Sequence, residues 1–141
     1  MKKAIWKTGT VGLLIVLASI AEAAVGNEPA LSPAETRAVL KQIATLKSST
    51  DRNVAHSWSN AKKVAELICR PAALTVLQKQ VKGTDRVFLG TDAPQSLTLE
   101  SDHRLTGSGE LRTPHGWQDF SFTCDLSPAT GKVTNFQATM K

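Results

Sequence analysis

The sequence predicts an α+β domain: two or three N-terminal helices packed on a C-terminal antiparallel β-meander of about four to five strands, joined by one helix-to-sheet disulfide. Three observations carry this. Apolar residues recur at helical spacing as far as Val81 and at a period of two after Gly83. The strand candidates are short and separated by close turn signals, the mark of a meander. Finally, the chain has two cysteines, Cys69 at a helical joint and Cys124 within a strand.

The N-terminus reads as an export signal. Lys2, Lys3 and Lys7 form a positive n-region, Val11 to Ile20 an apolar h-region, and Ala21-Glu22-Ala23 a small-x-small cleavage site. The apolar run stops at Glu22, short of the roughly 20 residues that a spanning helix needs. Residues 1–23 are therefore expected to be a signal peptide cleaved after Ala21 or Ala23, the alternative being an uncleaved anchor. The expected product is periplasmic or secreted, soluble, and without a transmembrane span. It keeps about 118 residues, a single-domain size. Losing three lysines and Glu22 lowers the net charge of +5 to about +3, too modest for a nucleic-acid partner.

Residues 24–52 are expected to hold a loose leader and an amphipathic helix. Ser32-Pro33-Ala34-Glu35 starts that helix: Ser32 caps, Pro33 suits the first position, and Glu35 completes a capping box. Val39, Leu40, Ile43 and Leu46 follow as one apolar stripe, which Ser48-Ser49-Thr50-Asp51 ends as a polar break. Residues 53–141 form the helix and β-meander domain. Ala61, Val64, Ala65 and Ile68 give a second apolar face, and Pro71 predicts a break near Arg70. Ala73, Leu74, Val76, Leu77 and Val81 then make a short helix ended by Gly83.

The strands are expected at Arg86 to Leu89, Ser96 to Ser101, Arg104 to Leu111, Trp117 to Leu126 and Lys132 to Met140. In the fourth, Phe120, Phe122, Cys124 and Leu126 alternate with Asp119, Ser121, Thr123 and Asp125, so one face is apolar and the other wet. Gly107 and Gly109 share a face and suggest a bulge, a bend or the close approach of a helix. Val133 is out of phase with Phe136, Ala138 and Met140, which suggests a bulge. In an oxidising compartment Cys69 and Cys124 most simply pair, two buried free thiols being the alternative. Closing that loop is worth about 4 kcal/mol in the chain-entropy model.

A family resemblance emerges from residues in one order. They are Cys69 before a short helix, Asp85-Arg86-Val87 opening a strand, Gly109, Arg112, Trp117, Phe120-Ser121-Phe122-Thr123-Cys124, and Lys132-Val133-Thr134-Asn135-Phe136. Over roughly the last half of the chain this resembles the short exported alphaproteobacterial proteins catalogued as domain of unknown function nine-thirty. The resemblance implies an exported bacterial protein with a cysteine pair, and no particular activity.

The chemistry-bearing residues select no catalytic set. His56, His103 and His115 read as solvated turn residues. His103 and His115 fall at opposite ends of a hairpin if Arg112 pairs with Trp117, so no metal site is expected. Ser108 lacks the strand-turn-helix context of a nucleophile elbow. No phosphate loop, dinucleotide fingerprint or other cofactor motif occurs. Candidate binding residues are Trp117 and His115, beside the Pro114–Gly116 turn, and the bases Lys62, Lys63 and Arg70. Strand phase places Trp117 opposite Phe120 and Phe122, where it is either a recognition platform or a cover for the outer sheet face. Between Lys62 and Arg86 six bases face two acids, a solvated helix face or a patch for anionic headgroups. The reading is a small envelope-associated binding module without enzymatic activity, its partner an envelope protein or an anionic glycan. The alternative is a small envelope hydrolase using scattered carboxylates.

Overall fold

The computed structural model describes residues 28–141. The expected signal peptide and the start of the leader lie outside them. Among the described residues three helical rods precede a five-stranded antiparallel sheet. The rods are α1 (Pro33–Thr45), α2 (Ser49–Ser57), and a continuous one made of α3 (Asn60–Val64), a π-turn (Ala65–Cys69) and α4 (Arg70–Gln80).

The local signals act at each helix start. Ser32 and Glu35 form the capping box, the Glu35 carboxylate accepting the Ser32 N–H at 2.7 Å. Ser48 caps α2, its Oγ accepting the Asp51 N–H at 2.9 Å. The stretch expected as a polar break is thus itself a helix start, because the Ser48 hydroxyl satisfies one of the first free N–H groups and Asp51 places a negative charge in the first turn. A second correction concerns Pro71. The rod does not break near Arg70, because the π-turn ahead of it bonds one residue further back, Arg70 N–H to Ala65 O. That wider turn makes room for the pyrrolidine ring, which would strike a carbonyl in a regular α-helix.

The strands are β1 (Arg86–Leu89), β2 (Leu97–Leu99), β3 (Arg104–Thr113), β4 (Gly116–Leu126) and β5 (Val133–Met140), in the order β1-β3-β4-β5 with β2 also paired to β3. Their inner face carries Leu105, Leu111, Phe120, Phe122 and Cys124, all buried under α3, the π-turn and α4. Phe122 stacks on Phe136 with centroids 5.6 Å apart. Gly109 lies opposite Phe120, and a Cβ there would stand 2.6 Å from the Phe120 ring. A Cβ at Gly107 would meet the Ser96 carbonyl. The close approach expected at these glycines is therefore made by neighbouring strands and not by a helix. The bulge expected near Val133 is present. Asp125 pairs with Asn135 and Leu126 with Val133, leaving Thr134 unpaired.

Cys69 and Cys124 form the disulfide between the π-turn and β4, with Cα atoms 6.3 Å apart and both residues fully buried. A second, small core holds Val39, Ile43 and Ala55, with Leu67 and Ile68 packed against it. It lies between α1, α2 and the π-turn, so α1 rests on the rod and reaches the sheet only at its end. There Glu35, 1% exposed, meets His103 Nδ1 at 2.9 and 3.0 Å, and Ser32 Oγ donates to Pro128 O at 2.7 Å. No helix among the described residues is long and apolar enough to cross a membrane.

Candidate functional site

Trp117 sits on the outer face of the sheet, in register with Arg112 on β3, which is in turn in register with Arg86 on β1. Phe88 alternates with buried Val87 and Leu89, so it lies on the same outer face. The Phe88 and Trp117 rings reach across the middle strand and stack, centroids 5.6 Å apart and planes 20° from parallel. Arginines flank the stack: the Arg70 guanidinium lies 4.9 Å from the Phe88 centroid, and that of Arg112 5.9 Å from the Trp117 centroid. Trp117 keeps 51% of its surface exposed.

Both arginines are held in place. Arg112 grips Asp85 with two hydrogen bonds, Nε to Oδ1 at 3.0 Å and Nη2 to Oδ2 at 2.8 Å. Those bonds hold the Asp85 carboxyl below its ordinary value and raise Arg112 in turn. Arg70 donates from Nε to Val87 O and from Nη1 to Glu66, each at 2.9 Å, which also caps a backbone group on the free edge of β1. The two rings therefore start from fixed positions, and little side-chain entropy remains to be lost on binding. Since each arginine already has a carboxylate, the step presents aromatic surface more than excess positive charge.

The other candidates are dispersed. Lys62 lies 5.2 Å from the Trp58 centroid and 4.0 Å from Glu66, while Lys63 lines a separate hollow with Leu40 and His56. Of the three bases, only Arg70 reaches the Trp117 step. His115 is exposed in the hairpin turn beside Gly116, its N–H donating to Thr113 Oγ1 at 3.1 Å. His103 is at the other end of the β3–β4 hairpin, with Glu35 as its partner. Ser108 lies mid-strand and accepts from Lys141 Nζ at 3.2 Å. Among the described residues no cluster of three metal-ligating side chains occurs.

Sequence reasoning missed Phe88, although its period-two position beside Val87 and Leu89 already puts an aromatic on the outer face. It also missed the cleft of about 500 Å³ beside β1, whose walls include Glu28, Glu66, Asp92 and Glu110. Two of these carboxylates are engaged: Glu28 accepts the Asn60 and Ala61 N–H groups, and Glu66 accepts from Arg70. No buried side-chain polar atom among the described residues lacks a partner. Comparison of the chain with protein-family models, with curated proteins and with solved structures finds no match.

Proposed function

We propose that the chain is a small exported binding module of the cell envelope, without enzymatic activity, that meets its partner through the Phe88–Trp117 step. The observation that carries this is a half-exposed tryptophan stacked on a second aromatic and flanked by two anchored arginines. Large, pre-set aromatic surface of this kind is what binding hot spots use. Of the two partner classes, the paired charges favour an envelope protein over an anionic glycan. A disulfide and the lack of a membrane-crossing helix among the described residues are compatible with a periplasmic or secreted chain. Membership of the exported alphaproteobacterial family rests on the residues that suggested it.

The test pairs two measurements on Trp117→Ala. Photo-crosslinking from the neighbouring His115 position identifies the envelope partner, and titration with that purified partner gives its affinity. The binding reading expects affinity to fall about thirtyfold, worth about 2 kcal/mol, with the melting temperature nearly unchanged. Lost stability with unchanged affinity would make Trp117 a cover for the sheet.

The hydrolase reading has one observation in its favour, the cleft that gathers Glu66, Asp92 and Glu110. Envelope-substrate hydrolysis by the purified chain that is lost in Glu110→Gln would favour it.

A further inference from the structure

Sharing no residue with the acidic cleft, α1, the π-turn with α4, and the β4–β5 loop line a groove of about 570 Å³. That volume is in the range of single small-ligand sites. Its floor is apolar, made by Ala38, Leu67, Ile68, Pro71, Ala72 and Val133. The π-turn supplies Leu67 and Ile68 and leads into Pro71, and π-turns in helices occur frequently at functional sites. The loop wall depends on Gly131, which has φ +69°. A Cβ there would stand 2.7 Å from Ala34 O and 3.1 Å from Ala38 Cβ.

Every charged residue of the lining is basic. Arg37, Lys41 and Lys132 line the groove, all three are exposed, and no carboxylate lines it with them. None of the three takes part in an ion pair among the described residues. Arg37 and Lys41 are one helical turn apart and so share a face of α1. An apolar trough with an uncompensated positive rim is complementary to one acyl chain ending in an anion. A second copy is disfavoured, because a symmetric contact through this patch would set the same bases against each other.

We propose that this groove binds a medium-chain fatty acid, its acyl chain on the apolar floor and its carboxylate met by Arg37, Lys41 and Lys132. The site is separate from the Phe88–Trp117 step, so either reading stands or falls without the other.

The test is calorimetric titration of the disulfide-bonded chain with sodium laurate below its micelle concentration. The expected result is saturable one-to-one binding. Replacing all three bases (Arg37→Gln, Lys41→Gln, Lys132→Gln) weakens it about tenfold, as the loss of three exposed charge contacts implies. These side chains lie outside both cores, so the triple variant keeps its melting temperature. Ala72→Trp, which fills the floor, abolishes binding. Dodecyltrimethylammonium, the same chain with a cationic head, binds at least about tenfold more weakly than laurate. Absence of laurate binding, equal binding of the two amphiphiles, or indifference to the three glutamines would overturn the proposal. A dimer in sedimentation that Ala72→Trp dissociates would make the groove a self-interface, and would overturn it equally.

Discussion

Beneath the sheet, apolar residues from the rod and all five strands close around a disulfide. Between α1 and α2, Val39, Ile43 and Ala55 alone among the described residues are buried together. The large core is held by area and a covalent bond. The small one is held at its margins by polar fasteners: the Ser32 and Ser48 caps, the Glu35–His103 contact and the Ser32–Pro128 hydrogen bond. Ile68 packs against both cores, so the π-turn is the seam between them. The difference teaches that one domain can hold two units of unequal stability, and units with few buried apolar contacts open first. The fatty-acid groove lies along that seam, where a ligand would bridge the strong unit and the weak one.

The sharpest way to break this comparison is to cut the covalent tie. Cys69→Ser should lower stability by about 2–5 kcal/mol, measured by urea unfolding of the purified chain. A loss much below that range would mean that the sheet core holds without its bridge. Core truncations come next. Leu105→Ala and Ile43→Ala should each cost about 2–5 kcal/mol, with Leu105 toward the upper end. Hydrogen exchange separates them: Ile43→Ala should raise exchange in α1 and α2 alone, Leu105→Ala throughout. Uniform acceleration by both would merge the two units into one.

Smaller is the effect of a polar fastener. Glu35→Ala leaves the Ser32 N–H and His103 without their partner, a loss of about 1–3 kcal/mol. Glu35→Gln should recover part of it, because the amide oxygen still accepts the cap N–H. An unchanged melting temperature in Glu35→Ala would deny the carboxylate's fastening role, and equal losses in the two variants would deny the share of the cap bond. The smallest effect belongs to the exposed Asp85–Arg112 pair on the outer face. Its folded carboxyl is held down chiefly by the Arg112 hydrogen bonds, so the contribution is present above the unfolded value and fades as pH falls through the folded one. Following Asp85 by NMR titration in Arg112→Gln should return it upward to the ordinary carboxylate range.

Much of the fold was legible locally. Ser32, Pro33 and Glu35 start α1, the alternation from Asp119 to Leu126 sets the inner face of β4, and Val133 betrays its bulge by phase. These signals depend on a residue's neighbours within a turn or a strand, which is why sequence alone carries them. The sequence also placed Trp117 on the outer face and offered Cys69 and Cys124 as partners. Only the tertiary structure decided that Phe88 stacks on Trp117, that Glu35 finds His103 across 68 residues, and that Pro71 is absorbed by a π-turn. It alone brought Arg37, Lys41 and Lys132 to the rim of one groove. Those outcomes depend on which surfaces meet after burial, and local periodicity carries no information about distant partners.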